Sequence, residues 1–600
     1  MRLKKILVVG MVFELATGPS WGVAHLKPGA YPHAFQDQIH HPSAARIKKY
    51  GSLRAASLAN VTGPLAVAVI LVQFPASSCG GCTSGSNSIV SLANVDTRFT
   101  QMAAYYNEVS YGKILPLTFK FFGPNTATVD GDASAVTAGA YTFNGTGGSP
   151  NHPMEYYGCG DEGVGCGPSV NTPDPGVVTA FGDYLIRDAL NAARAGHSNT
   201  PLSKDSGGNF DRVIVVHAGN GNETTIGTNG DIWSIFYSQD PVIAAAGAGF
   251  DEGDVDPDTE GSGITSPLGV MCHEFGHSLG LPDQYNTGVN GGTSVVGKWE
   301  LMDAGPFDGN GANPSHMGIW DKMTLGWATP PTVSSGTASM GFIETTPTGG
   351  IRLTAPNGLP QEYFLVEYRS RSSGKTYDTA IPGDGLLVWH IDDAITSTRG
   401  IAATDPSVQN TVNTGSPHYG ISIVAADGIT ISNANQGDAG NPYSNGGVFT
   451  TPQSNNFAGQ PSGVTIVNIS GVGSATASAQ VAALAVSAGQ SITKLLNYPN
   501  PAGKGYPHPS GEGHTTIQFQ LTRPAQDYSI NIYTLSAELV RKVSKDDIVL
   551  NITRSADQKW VYEYDWDLKN GNGAHVAPGV YLYLIRADGQ NKSGKAVIIR

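Results

Sequence analysis

The stretch MCHEFGHSLGLPDQY, residues 271–285, sets His273 and His277 four positions apart with Glu274 between them. An α-helix has about 3.6 residues per turn, so positions four apart share a face and both imidazoles can reach one ion. Glu274 is rotated off that pair. It can border the ion without binding it, the placement of a general base that takes a proton from a zinc-activated water. Leu268, Met271, Phe275 and Leu279 form an apolar stripe that anchors such a helix in a core. Gly280 stands where the helix must stop, and Leu281–Pro282 extends the chain so that Asp283 returns toward the ion as a third ligand. A catalytic zinc takes three protein ligands and keeps a fourth position open. For Asp283 a supporting hydrogen bond or a calcium ion is the alternative role. For the whole stretch the alternative is a helix with two ordinary core histidines. A bare H-E-x-x-H arises by chance on the order of once in a hundred such chains, and Gly280 and Asp283 at their offsets make chance rarer still. Cys272 precedes His273 and points away from it, which suits a buried free thiol.

The flanks of this helix alternate strands and helices. LAVAVILVQF (65–74) and DRVIVVHAG (211–219) read as buried strands, and TRFTQMAAYYNEVSYGK (97–113) and VVTAFGDYLIRDALNAARAG (177–196) as helices. Residues 61–331 are therefore expected to form an α/β or α+β domain. From residue 332 alternating runs such as EYFLVEYRS and GLLVWHIDD lie between Gly/Asn/Ser/Thr loops, the texture of a β-sandwich over 332–487. TTIQFQL, YSINIYTLS, KWVYEYDWD and GVYLYLIRA then predict a small all-β domain over 488–600. The fold class expected is multidomain.

Composition narrows the functions open to this chain. Its 600 residues exceed one hydrophobic core. Only 14% are charged and the net charge is −14 with no Lys/Arg block, which argues against nucleic acid as a partner. FDEGDVDPDTEGSG (250–263) concentrates Asp251, Asp254, Asp256, Asp258 and Glu260 in what reads as a turn-rich loop; it suits structural Ca2+, or else a solvated acidic loop. Asp438 in QGDAGNPYSNG is a weaker candidate of the same kind. Arg2, Lys4 and Lys5, then the apolar run Ile6 to Phe13, then Gly22 and Ala24, have the pattern of a secretory signal peptide over 1–24, interrupted by Glu14; 25–60 reads as a leader or short pro-segment. No other segment approaches about 18 uninterrupted apolar residues, so no membrane span is expected. Cys79 with Cys82, and Cys159 with Cys166, lie in Gly-rich loops and suit two small disulfides, a four-cysteine zinc site being the rival.

HEFGHSLGLPDQY resembles the zinc signature of the immune inhibitor A family of secreted metallopeptidases, which is similar to the metzincins but carries an aspartate where they place a third histidine. YYNEVSYGK, RVIVVHAGNGNET, ELMDAGPFDG, PSHMGIWDKMTLGW, PGDGLLVWHIDD and ISIVAADG resemble further segments of that family, in the same order over roughly residues 65–485. One departure is Ile235 in IWSIFYS, where members often carry a histidine. The end of the chain, through YPNP, IYTLSAELV and DWDLKNGNGAHVAPGVYLYLIRA, resembles the Ig-like domain related to flagellar hook-capping protein and the sorting domains of the type IX secretion route.

The resemblance implies a zincin-type domain, Zn2+ on His273, His277 and Asp283, Glu274 as general base, and Met302 packed beneath the ligands. It implies a secreted monomer, extracellular or held at the cell surface, that cuts protein or peptide substrates. The C-terminal domain would meet secretion machinery or the cell surface. His316, Tyr285 and His217 are candidates by residue type for stabilising the oxyanion. The competing class is a surface binding or adhesion protein with an inert peptidase-like domain, and hydrolysis of a non-peptide substrate is a third.

Overall fold

The computed structural model describes residues 20–21 and, with gaps, 61–599; the longer gaps are 75–87, 126–133, 144–153, 158–181, 225–230, 400–409, 484–490 and 552–559. The signal-peptide and leader readings, and Cys79, Cys82, Cys159 and Cys166, lie outside the described residues apart from Ser20 and Trp21. The described chain clusters into two compact units, one of Met1–Thr354, Gln361–Phe449 and Ile466–Val481, the other of Ala355–Pro360, Thr450–Thr465 and Ala482–Arg600.

The first unit is built on a seven-stranded sheet. Its strands are β1 (Ser20–Trp21), β2 (Leu65–Gln73), β3 (Leu117–Phe122), β4 (Tyr141–Thr142), β5 (Arg212–Asn220), β6 (Ile235–Ser238) and β7 (Gly253–Thr259). They run in the order β1-β6-β7-β5-β2-β3, with β4 also on β2. β2, β3, β5 and β7 are parallel, whereas β6 is antiparallel to β7. A strand covered on both faces reads as a continuous apolar run, and β2 shows why. Ala68, Ile70 and Val72 join one core, and Val67, Val69 and Leu71 join the other. Helix α1 (Leu92–Val109) and helix α3 (Leu268–Leu279) supply the second of these cores. Helix α2 (Gly182–Gly196) packs Leu185, Ile186 and Ala189 into the first.

The sequence places α1 from residue 97, but it begins at Leu92, where the Ser91 side chain caps it by accepting from the Asn94 N–H. A larger correction concerns residues 250–263. The acidic segment expected as a turn-rich loop contains β7, with Asp254, Asp256 and Asp258 buried. Asp and Pro are poor strand formers, and here the flanking β5 and β6 override that preference. Pro257 lies past the last β6 pairing, Ile235↔Val255, so its missing N–H removes no bond to β6.

The same unit continues past residue 331. Strands β8 (Ser335–Gly341), β9 (Gly350–Thr354), β10 (Glu362–Arg369), β11 (Gly385–Asp392) and β12 (Ile421–Ile423) follow, and β9 to β12 form a four-stranded sheet. One core joins Trp299, Ile319 and Trp320 to Leu365, Leu387 and Trp389. A three-stranded sheet of β8, β13 (Val464–Ser470) and β14 (Thr476–Ala483) completes this region.

In the second unit, the C-terminal residues form a four-stranded and a five-stranded sheet, drawn from Ile492–Tyr498 through Gln590–Ile599. Their inner faces share one core that includes Ile517, Phe519, Ile530, Tyr562, Trp566 and Ile585. The molecule is thus a mixed α/β protein of several sheets and few helices. No described helix is long and apolar enough to cross a membrane.

Candidate active site

Every residue of α3 is buried, and its glycines explain how it packs so closely. A Cβ added at Gly269 would lie 1.9 Å from the Pro306 carbonyl oxygen, and one at Gly276 would lie 2.7 Å from Met302 Sδ. Met302 therefore sits against the backbone of the helix itself. The helix ends at Gly280, whose φ of +108° is the left-handed conformation that glycine adopts without a Cβ penalty. The Gly280 and Leu281 N–H groups close the last turn onto His277 O and Gly276 O at 2.8 and 3.1 Å.

That turn brings three donors together. His273 Nε2 and His277 Nε2 are 3.2 Å apart, and each lies 3.2 Å from Asp283 Oδ1. The other ring nitrogens are spoken for: His273 Nδ1 donates to Leu301 O at 2.8 Å and His277 Nδ1 to Leu281 O at 2.7 Å. Carbonyls only accept, so in the neutral imidazoles both Nε2 atoms present lone pairs. Burial pushes the His273 pKa down, which keeps that ring neutral. Two lone pairs and a carboxylate oxygen then converge, an arrangement that repels itself unless a cation sits among them. Ligands about 2.0–2.1 Å from a tetrahedral zinc stand about 3.3 Å from one another, so this triangle has the size of one face of such a site. Among the described residues, this is the one group of three or more His, Cys, Asp or Glu whose ligand atoms all lie within 4.8 Å of one another.

Neighbouring groups hold the triangle in place. Phe236 of β6 stacks on the His277 ring with centroids 6.3 Å apart. Asn410 accepts from the Asp283 N–H and donates to Asp283 Oδ2, both at 2.7 Å. Gln284 N–H donates to Met302 O at 2.8 Å, and Gln284 Nε2 to Asp321 Oδ1 at 2.6 Å. Asp303 accepts from Ser294 Oγ and from the N–H groups of Val295, Val296 and Gly297, fixing the turn below Met302.

Glu274 is fully buried, and neither carboxylate oxygen has a hydrogen-bond partner among the described residues. Burial raises its pKa well above the ordinary range, and Asp256, Asp283, Asp254 and Glu223 raise it further. β7 thus runs beneath the helix with its acids turned toward it, and Asp254 accepts from Ser278 Oγ at 3.1 Å.

Of the three residues considered for the oxyanion, Tyr285 lies at the site, its hydroxyl hydrogen-bonded to Asp283. His217 does not. Its β5 neighbours Val213 and Val215 belong to the core on the α2 side, and side chains two apart on a strand share a face, so His217 points away from α3. His316 does not serve either: Nε2 bonds Glu108 at 2.9 Å and Nδ1 meets Lys322 Nζ at 3.2 Å, so both ring nitrogens are engaged. Cys272 is a buried free thiol. Asp438 closes a turn with Asn435 Nδ2 at 2.8 Å and the Gly440 N–H at 2.7 Å. Asn410 and Glu223 escape sequence reasoning, and Asp256 is singled out there only for calcium or a solvated loop. Asn410 lies in a polar stretch with no periodicity, and the two acids resemble solvated residues although the fold buries both.

Comparison with known proteins points the same way. Residues 179–328 match the family described as immune inhibitor A peptidase M6, catalytic domain. The chain is 30% identical over 169 residues to the pre-pro-metalloprotease PrtV of Vibrio cholerae serotype O1, across 25% of this chain and 17% of that protein. It is 32% identical over 132 residues to immune inhibitor A of Bacillus thuringiensis subsp. alesti, across 19% of this chain and 18% of that protein. The chain thus spans less than a fifth of the length of these curated relatives. Among solved structures, dimeric latent PorU from Porphyromonas gingivalis aligns at 17% identity over 28% of this chain and 15% of that chain, with a TM-score of 0.15, far below that of a shared fold.

Proposed function

We propose that this chain is a zinc-dependent endopeptidase, with a zincin-type catalytic domain over 61–331, a β-sandwich over 332–487 and an Ig-like sorting or surface-retention domain over 488–600. The observation that carries the reading is the triangle of His273 Nε2, His277 Nε2 and Asp283 Oδ1, with 3.2 Å between each pair, beside the unpartnered Glu274 carboxyl group. The match of residues 179–328 to a metallopeptidase family supports it. Zinc held by those three donors supplies Lewis acidity toward the scissile carbonyl and the attacking water. Glu274 accepts the proton of that water on a carboxylate oxygen and returns it to the leaving amine nitrogen, a role that contributes typically 10²- to 10⁴-fold. Tyr285, hydrogen-bonded to Asp283, is the donor we assign to the developing oxyanion. The signal-like N-terminus supports export, and the alternating C-terminal strands support handling by secretion machinery or retention at the cell surface. The substrates are extracellular proteins or peptides.

The test is digestion of casein by the purified protein, with and without a chelator, alongside Glu274→Gln. Glu274 is not a ligand, so the variant should retain zinc while its kcat falls by about 10²-fold or more. Digestion that survives both chelation and Glu274→Gln would return the molecule to the class of inert surface binders.

A further inference from the structure

We infer that Asn410, from the β-rich part of the first unit, is a positioning residue for the third metal donor. The inference rests on the proposed zinc reading and extends it to a residue far outside the 271–285 stretch. A carboxylate is a shorter ligand than an imidazole, and it has two oxygens that can compete for one ion. Asp283 reaches the imidazoles with Oδ1, 3.2 Å from each Nε2. Its Oδ2 is drawn aside by Asn410 Nδ2 at 2.7 Å, while Asn410 Oδ1 takes the Asp283 backbone N–H at 2.7 Å. One planar amide therefore holds both the main chain and the side chain of the same residue. That fixes the Asp283 torsions and dictates which oxygen faces the two Nε2 atoms.

The amide is itself firmly mounted. Asn410 is buried, with φ +54°, a left-handed conformation that asparagine tolerates better than most residues. Its carbonyl accepts from Thr287 Oγ1 at 2.8 Å. Asn413 then donates to Gln284 O at 2.6 Å and accepts from the Ile421 N–H of β12 at 3.0 Å. The 410–413 segment thus ties the metal loop to the four-stranded sheet. Aspartate at 410 would keep the acceptor for the N–H but turn a carboxylate oxygen onto Asp283 Oδ2. Asparagine is the residue type that satisfies both contacts.

Groups that orient a metal-ligating side chain typically cost 10- to 100-fold in affinity when lost. The experiment is equilibrium competition for zinc against a chromophoric chelator, on the full chain, for wild type, Asn410→Ala and the near-isosteric Asn410→Asp. Circular dichroism checks that each is folded, and thermal midpoints are taken with zinc and with EDTA. We expect affinity about 10- to 100-fold weaker in both variants and a smaller zinc-induced rise in midpoint. A merely structural role would lower both midpoints equally and leave the affinity alone. In an Asp283→Ala background, Asn410→Asp should cause no further loss, because Asn410 acts through Asp283. Wild-type affinity in Asn410→Asp, or an undiminished loss in the Asp283→Ala background, overturns the inference while the zinc reading stands. Failure of the wild-type chain itself to take up zinc removes the reading beneath it.

Discussion

Tyr285 can serve the site in two ways that kinetics separates. Its hydroxyl hydrogen-bonds Asp283, and burial, with Asp283 and Glu274 adding to it, raises its pKa well above the ordinary phenol value. It is therefore a protonated donor at neutral pH. If that proton meets the oxyanion, Tyr285→Phe should lower kcat by about 10²- to 10³-fold with little change in KM or zinc affinity. If the hydroxyl only steadies Asp283, zinc affinity falls instead and kcat recovers when zinc is supplied in excess. Single-turnover rates at saturating zinc distinguish the two. The same neighbourhood shows what a sequence reveals at this scale. His273 and His277 are legible because helix geometry alone puts them on one face. Asp283 is legible because Gly280 announces the turn that returns it. Asn410 is not, because its partner lies 127 residues away and only the folded chain joins them.

Helix α3 owes its depth to glycines at its contacts with other chain segments. The 1.9 Å approach between a Cβ at Gly269 and Pro306 O involves backbone on the far side, which cannot rotate away as a side chain does. Gly269→Ala should therefore push the helix off the 305–311 turn, costing about 1–3 kcal/mol, the usual range for overpacking. A thermal midpoint equal to wild type would show that the turn yields freely and that the close approach is not a constraint. α1, β2 and β5 are legible as elements because their apolar residues follow a helical period or fill a continuous run. β7 is not. Its sequence, GDVDPDT, has the composition of a loop, and nothing local signals that Asp254, Asp256 and Asp258 end up buried. Composition reports average behaviour, whereas the place of β7 between β5 and β6 is set by the neighbours.

At the scale of the molecule, the change of texture at residue 332 records a change of element type and not which core an element joins. Trp299 and Ile319 share a core with Leu365 and Leu387, and a buried ionic cluster crosses the same point. Arg369, fully buried on β10, donates to Asp378 through Nε at 2.8 Å and a terminal nitrogen at 2.7 Å, to Glu367 at 3.1 Å and to Trp299 O at 3.0 Å. Asp378 also accepts from the His316 N–H at 2.5 Å. Burial alone would raise the Asp378 pKa, but the Arg369 guanidinium outweighs it and holds the value at about 2, below the ordinary 3.8. A carboxyl group with a depressed folded pKa stabilises the fold above its unfolded value, and that contribution disappears as pH falls through the folded one. The shift corresponds to about 2 kcal/mol, present above about pH 4 and lost toward pH 2. Asp378→Asn should therefore lower stability at neutral pH by about 3 kcal/mol, because it leaves a buried guanidinium short of a partner, although Glu367 softens the loss. The gap between wild type and variant in urea unfolding should hold steady from pH 7 to about 4 and narrow below that. A gap that stays constant down to pH 2, or one that is absent at pH 7, would mean that the Arg369 guanidinium does not hold Asp378 ionised in the folded chain.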